Sequence, residues 1–157
     1  MIRTRPLTAE DVPVCAAWVD EHPMFARYGL TAERLAASLA NALRQGDGLV
    51  VAEDDATPSG PAPVGLAWYL PRGTFYHSAY LRLLVVSSRA TGKGVGGALM
   101  DAVEDLVFRE VKDLFALVNT ENMAAQRFYE RRGFRCVGRL ADYAGPGLDE
   151  FIYRKRR

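Results

Sequence analysis

The most informative stretch of the sequence reads Leu84-Val85-Val86-Ser87-Ser88-Arg89-Ala90-Thr91-Gly92-Lys93-Gly94-Val95-Gly96-Gly97-Ala98-Leu99-Met100. An apolar run typical of a strand leads into a turn rich in glycine, and an amphipathic helix follows directly. Glycine adopts positive φ without strain and lets a ligand approach the backbone closely. The free N–H groups and the dipole at a helix start favour an anion at the same place. Strand, glycine turn and helix start together predict a phosphate-binding site.

A purely structural turn and two familiar nucleotide-binding loops fit these glycines less well. A tight turn alone needs one or two glycines, and each glycine in a helix costs roughly 0.5–1 kcal/mol relative to Ala. A Walker A loop requires Ser or Thr directly after Gly-Lys, whereas Gly94 follows Lys93 here. A Rossmann motif lies near the start of its domain and precedes an acidic residue by about 20 positions. This turn lies past mid-chain, behind strands that look antiparallel.

The residues around the turn alternate between helix and strand patterns. After it, helical periodicity runs from Val95 to Val107, and turn signals such as Gly133 separate further segments. The segments after α-helical residues 95–107 are predicted to be strands at 114–118, 134–137 and 150–153 and a helix at 123–132. Before it, helices are predicted after Thr8 and Thr31, and strands at 49–52, 64–70 and 80–86. The Pro-, Gly- and Ser-rich residues 54–63 predict a mobile connection. We expect a single domain over residues 1–157, with part of its sheet parallel.

The turn resembles the acyl-CoA-binding motif of the GNAT superfamily of N-acetyltransferases, Gln/Arg-x-x-Gly-x-Gly/Ala. Residues 89–94 satisfy this pattern literally. Residues 91–96 place Thr91 where Gln or Arg is usual, but then residues 95–100 match the helix start of the family, so we adopt this register. The next motif of the family is N-x-x-A-x-x-F/L-Y-x-x-x-G-F. This chain matches it at Asn122, Ala125, Phe128, Tyr129, Gly133 and Phe134.

The resemblance covers roughly residues 49–157 and implies both a fold and an activity. The fold is α/β, of the α+β kind, with a mixed central sheet of about six to seven strands and about four helices. The fourth and fifth strands of the family splay apart for acyl-CoA. The activity is transfer of an acetyl group from acetyl-CoA to a primary amine of a small molecule or protein, by direct attack in a ternary complex. A non-catalytic acyl-CoA sensor or interaction module of the same fold is the alternative, because fold does not fix function.

The resemblance also assigns residues to the cofactor. The main chain of Leu84, Val85 and Val86 would hold the pantetheine arm. The pyrophosphate would lie on Thr91, Gly92, Lys93, Gly94, Val95 and Gly96. Lys93 is equally well interpreted as a solvated surface residue. Asn122 has two interpretations, either as the N-cap of the helix that follows or as a cofactor contact.

Tyr129 is the candidate general acid for the departing thiolate. A tyrosine hydroxyl has a reference pKa of about 10, above the ~8.5 of a thiol, so it is protonated at neutral pH. The alternative is a tyrosine that only packs on the core. The general base is open: Glu53, His77 and Glu150 are candidates, and a water relay is another. Cys136 has no histidine beside it in sequence, so we expect no acetyl-cysteine intermediate.

Composition limits the other partners. The 157 residues carry a formal net charge of +1, which gives no overall field for nucleic acid or an anionic membrane. Two cysteines, interpreted as buried in a reducing compartment, are too few for a disulfide framework or a four-cysteine metal site, so no metal is expected. No apolar signal stretch follows the N-terminus and no apolar run approaches the ~18 residues of a membrane span, so we expect a soluble cytoplasmic protein. The basic residues 154–157 are expected to be a solvated tail. The apolar residues 151–153 suggest a homodimer, since the last strands of this family often pair across subunits.

Overall fold

The computed structural model describes residues 1–56 and 60–157. Within them the chain forms seven strands and five α-helices. The strands are β1 (Ile2–Pro6), β2 (Gly48–Asp54), β3 (Ala62–Thr74), β4 (Ser78–Val86), β5 (Asp113–Asn119), β6 (Arg135–Leu140) and β7 (Glu150–Arg156). The helices are α1 (Val12–Ala17), α2 (Pro23–Arg27), α3 (Ala32–Gln45), α4 (Val95–Val107) and α5 (Met123–Arg131). Residues 57–59 of the predicted mobile connection lie outside the described residues, and its two ends belong to β2 and β3.

The strands form a mixed sheet in the order β1-β2-β3-β4-β5-β7-β6. β1 with β2, β2 with β3, β5 with β7 and β6 with β7 pair antiparallel. β4 and β5 pair in parallel, from Ala79 opposite Leu114 to Leu81 opposite Ala116. Parallel neighbours need a long crossover, and α4 provides it between these two strands. The predicted mixed α/β fold is therefore confirmed.

The chain divides into two compact units. The first comprises residues 1–69 and 83–106, and the second comprises residues 70–82 and 107–157. β3 and β4 each contribute residues to both units. The first unit also holds β1, β2, α1, α2, α3 and nearly all of α4, and the second also holds β5, α5, β6 and β7. That the whole chain is one domain stays a prediction.

α3 anchors the core of the first unit. Thr31 caps the helix, since its hydroxyl accepts a hydrogen bond from the Arg34 N–H at 3.2 Å. Gly46 ends the helix with φ of +76°, a left-handed conformation that suits glycine. The apolar side chains of α3 pack in one buried cluster with Trp18, Val51 and Val85. The end of β4 is therefore held against the helical layer by the hydrophobic core.

Two expectations about the C-terminal half are wrong, and a third loses its motive. Residues 154–156 are not a solvated tail, because they continue β7, where Arg154 Nε donates to Asp113 at 2.8 Å. Cys136 is exposed, because β6 is the last strand of the sheet and has a free edge. β7 lies between β5 and β6, so both of its edges are already paired and it cannot add a partner strand. A homodimer stays a prediction without that motive.

No helix in residues 1–56 or 60–157 is long and apolar enough to cross a membrane.

Candidate active site

The glycine turn leaves its outer side open. β4 ends at Val86, a single 3-10 turn follows, and α4 begins at Val95. Gly92 and Gly94 have φ of +79° and +80°, which side chains rarely tolerate, and a Cβ at either position would meet nothing within 4 Å. At Gly65, in contrast, a Cβ would lie 2.7 Å from Val95 Cγ1. β3 therefore holds the start of α4 closely from behind, while the front of the turn is accessible to a ligand.

The backbone amides of this turn fit an anion. Thr91 and Lys93 use their N–H groups within the turn, donating to Ser88 and Ala90 at 3.3 Å. Within the described residues, five other amides of the turn and of the first turn of α4 have no acceptor, those of Gly92, Gly94, Val95, Gly96 and Gly97. Unpaired amides at a helix start, together with its dipole, form an anion site. These residues fit the diphosphate group of a CoA thioester.

The end of β4 directs alternate main-chain groups to opposite sides. The Ser87 N–H donates to Val64 of β3 at 2.9 Å, and Val85, two residues earlier, has its carbonyl near Gly65 of β3. Since main-chain groups alternate along a strand, Leu84 and Val86 direct theirs away from β3. The contact of Leu84, Val85 and Val86 with pantetheine stays a prediction. Val85 uses its backbone toward β3 and buries its side chain in the core.

Two side chains that sequence reasoning missed reach this strand end. His22 Nε2 lies 2.8 Å from the Val86 oxygen, and because a carbonyl only accepts, Nε2 carries a hydrogen. Glu21 accepts from the Ser88 N–H at 2.6 Å and from the Ser87 hydroxyl at 3.4 Å. The Ser88 N–H holds the pKa of Glu21 below its ordinary value. The segment between α1 and α2 is thus fastened to the start of the glycine turn.

Tyr129 combines a buried ring with a hydroxyl that makes no hydrogen bond to the described residues. Its ring is 7% exposed and packs edge-on against Phe128 and Phe134, with centroids 5.3 Å away in each case. Within the described residues its hydroxyl makes no hydrogen bond. Burial, with a smaller contribution from Tyr80, raises the pKa of Tyr129 well above its ordinary value. The hydroxyl is therefore protonated at neutral pH and available as a donor.

Asn122 acts as a helix cap. Its side-chain oxygen accepts from the Ala125 N–H at 3.1 Å, which satisfies an amide in the first turn of α5. Gln126 supports the same turn, since its amide donates to the carbonyls of Asn119 and Thr120 at 3.2 and 2.9 Å. The capping interpretation is therefore confirmed. The Asn122 amide nitrogen is not used by the cap, and its contact with a cofactor stays a prediction.

Comparison with known proteins identifies the family. A sequence model described as "Acetyltransferase (GNAT) family" matches residues 14–134. The chain belongs to this family. The match includes both the glycine turn and the motif from Asn122 to Phe134, so this GNAT chain is an enzyme of the acetyltransferase type. No curated protein matches it at a significant level.

Solved GNAT structures share its fold along its whole length. A ribosomal-protein-alanine N-acetyltransferase from Brucella melitensis is 27% identical over 99% of both chains, with a TM-score of 0.75. NAA60 from Arabidopsis thaliana, solved with a bisubstrate analogue, is 18% identical over 99% of this chain and 98% of its own, with a TM-score of 0.80. YncA from Salmonella typhimurium, solved with its cofactor acetyl-CoA, is 16% identical over 99% and 93%, with a TM-score of 0.75. The latter two likenesses show the fold alone.

The three base candidates of this GNAT chain have different surroundings. Glu53 accepts two hydrogen bonds from Arg5, at 2.8 and 2.6 Å, and is part of an ion-pair network. His77 is exposed in the turn between β3 and β4. Glu150 is 4% exposed at the start of β7, opposite Asn119. Burial raises the pKa of Tyr80, and Tyr143 and the Glu150 carboxylate add to that shift. Of the three, Glu150 is the buried carboxylate that interacts with a tyrosine.

Proposed function

We propose that this GNAT protein transfers an acetyl group from acetyl-CoA to a primary amine of a small molecule or protein. The observation that carries the proposal is the glycine turn, whose unpaired amides and left-handed glycines present an open anion site at the start of α4. Thr91 and Lys93 are exposed there and add a hydroxyl and a positive charge. The main chain of Leu84 and Val86 would align the pantetheine arm. When bound, the cofactor supplies an activated thioester.

Tyr129 would supply the proton that leaves with the product thiol. As the amine nitrogen bonds to the acetyl carbon, the carbon–sulfur bond breaks, and the Tyr129 hydroxyl donates its proton to the departing sulfur. The amine proton needs an acceptor, and Glu150, directly or through water, is the best supported of the three candidates. Transfer would be direct. Burial raises the pKa of the Cys15 thiol to about 12, so it cannot act as a thiolate nucleophile, and Cys136 is an exposed residue of β6.

The acceptor amine must be neutral to attack, and the free-energy cost of deprotonating it differs between amine classes. At pH 7, deprotonating a lysine amine costs roughly 4–5 kcal/mol, whereas an α-amino group costs only about 1 kcal/mol. A thiol-release screen should therefore compare free amino acids, peptide N-termini, lysine side chains and small polyamines.

We also expect the protein to act in the cytoplasm, because Cys15 and Cys136 are free thiols.

The experiment pairs cofactor binding with turnover. Thermal shift with acetyl-CoA, CoA and longer acyl-CoAs should show stabilisation, since a ligand at 100 times its Kd adds about 2.7 kcal/mol to the free energy of unfolding. Gly94→Leu should abolish the shift by blocking the anion site. Gly46→Leu is the matched control: it also lies at positive φ with nothing within 4 Å of its Cβ, but at the end of α3. It carries similar backbone strain and should keep full binding.

The outcomes separate the two candidate functions. Binding of acetyl-CoA followed by thiol release with one amine class supports the transferase. Binding without release for every amine class rejects it and favours the acyl-CoA sensor of the same fold. If folded Gly94→Leu binds acetyl-CoA normally by calorimetry, the anion site is placed wrongly.

A further inference from the structure

The turn between β3 and β4 exposes two aromatic residues on a strained backbone. The His77 N–H donates to the Thr74 oxygen at 3.2 Å, and between them Phe75 and Tyr76 have φ of +51° and +59°. Two left-handed residues define a type I′ hairpin turn, for which Asn-Gly is the usual choice. For other residues this conformation costs roughly 1–2 kcal/mol each. Yet Phe75 and Tyr76 are 80% and 87% exposed. Burial of the two side chains therefore does not explain why aromatic residues occupy these strained positions.

The turn continues into a row of contacts across the second unit. The Phe75 ring meets Phe115 of β5 edge-on, with centroids 6.2 Å apart. The Arg154 guanidinium lies over the Phe115 ring, 6.0 Å from its centroid. Asp113 orients Arg154 through a 2.8 Å hydrogen bond and lies 3.9 Å from Arg156, which is 62% exposed. We name Phe75, Tyr76, Phe115, Arg154 and Arg156 the aromatic-basic surface.

The charge of the chain is unevenly divided between the two units. The second unit contains thirteen Lys and Arg against seven Asp and Glu, a net charge of +6. The first unit contains seven against twelve, a net charge of −5. The overall charge of +1 therefore hides a basic unit, and the aromatic-basic surface belongs to it. Uneven charge of this kind steers oppositely charged partners to one region.

We propose that the aromatic-basic surface is a docking site for an acidic segment of a partner protein. Exposed aromatic side chains beside arginine are the residues that carry most binding energy in protein interfaces. A second copy docking through the same surface would bring Arg154 and Arg156 against their own equivalents, which is repulsive. Single-stranded nucleic acid also uses aromatic and basic side chains. The partial neutralisation of both arginines by Asp113 and the overall charge of +1 favour a short acidic segment over a long polyanion.

The test measures the fluorescence anisotropy of a short fluorescein-labelled peptide of Glu, Asp and two leucines, titrated with the full chain. A peptide with Lys in place of the acidic residues controls for charge, and poly(U) RNA is the competing polyanion. The double variant Phe75→Asn/Tyr76→Gly removes both aromatic side chains and installs the preferred residues of the turn. It should keep or raise the melting temperature, so a loss of binding cannot be ascribed to unfolding.

We expect the acidic peptide to bind, the Lys peptide not to bind, and the double variant to lose roughly tenfold or more in affinity. Arg156→Gln should weaken binding in the same direction. Tyr143→Ser, at another exposed tyrosine (61%), and Arg135→Gln, at an exposed arginine of β6, should bind like the wild type. Absence of peptide binding at low salt, or equal affinity of the double variant, overturns the proposal. Stronger binding of RNA through the same residues also overturns it and makes the surface a nucleic-acid site. None of these binding measurements depends on acetyl transfer.

Discussion

Tyr129 divides structural and chemical roles between two parts of one side chain. Its ring fills the space between Phe128, Phe134 and Tyr153, while its hydroxyl has no hydrogen bond within the described residues. A hydroxyl that served only stability would normally be paired, because leaving a polar group unsatisfied has a cost. The arrangement therefore supports the role of proton donor that we propose.

Tyr129→Phe should separate turnover from folding. We expect turnover to fall by about 10²–10⁴ because the general acid is lost, with acetyl-CoA binding nearly unchanged and no loss of melting temperature. Tyr153→Phe is the matched control, since Tyr153 is 2% exposed and its hydroxyl donates to Glu130 at 3.0 Å. It should lose about 1 kcal/mol of stability and keep full turnover. Wild-type rates in Tyr129→Phe, with chemistry limiting, would assign the proton to water or another residue.

At the residue scale, motifs select candidate residues, and the roles of those residues in catalysis and cofactor binding stay predictions. Tyr129 and Asn122 follow from spacing within one short segment, and the glycines follow from one turn. His22 and Glu21 could not be found in this way. They meet Val86 and Ser88 across 64 and 67 positions of sequence, and only the packing of the first unit brings them together. Nothing in the adjacent pair Glu21-His22 signals that contact.

At the scale of elements, amphipathic helices were predictable and the outer strands were not. α3 and α4 have clear periodicity, and Thr31 and Gly46 mark the ends of α3. β1 alternates poorly because Arg3 and Thr4 are both exposed on an edge strand. The basic residues of β7 lack the apolar pattern of a strand, but they pair with β5 over its whole length. Main-chain pairing, rather than side-chain burial, makes that segment a strand.

An ion-pair network connects β1 to the first helical segment and β2. Arg5 donates to Asp11 at 2.7 and 2.9 Å and to Glu53 at 2.6 Å, and Asp11 also accepts from the Thr8 N–H at 2.8 Å. The Arg5 hydrogen bonds lower the pKa of Asp11 to about 2. The folded state therefore favours the ionised carboxylate. The resulting stability is complete above the unfolded pKa of about 4 and disappears as the pH falls through about 2.

Asp11→Asn should therefore destabilise the protein in a pH-dependent way. At pH 7 we expect the free energy of unfolding to fall by roughly 1–2 kcal/mol, discounted for the partial exposure of Arg5. The difference from the wild type should shrink between pH 4 and pH 2. Urea unfolding at several pH values measures it, with Glu10→Gln, an exposed neighbouring carboxylate, as the control. A difference that is constant from pH 7 to pH 2 would contradict this account.

At the scale of the whole molecule, sequence predicts the mixed sheet but not its division. The fold class follows from alternating strands and helices and from the two motifs. The two compact units do not, because each is assembled from two separate stretches of chain. Their opposite charges cancel in the total and become visible only after the chain is divided. The aromatic-basic surface could not be predicted from the sequence either, because its residues come from three separate segments of the chain: β5, β7 and the turn between β3 and β4.

We expect the two units to unfold together, because β3 and β4 supply residues to both, so unfolding either unit removes part of two strands from the other. Each unit contains its own spectroscopic probe. Both tryptophans, Trp18 and Trp68, are buried in the first unit, and the exposed Cys136 of the second can be labelled while Cys15 is buried. Tryptophan fluorescence and the Cys136 label should give the same urea midpoint, as two-state behaviour requires. Distinct midpoints would show two domains, and the single domain predicted from the sequence would be wrong.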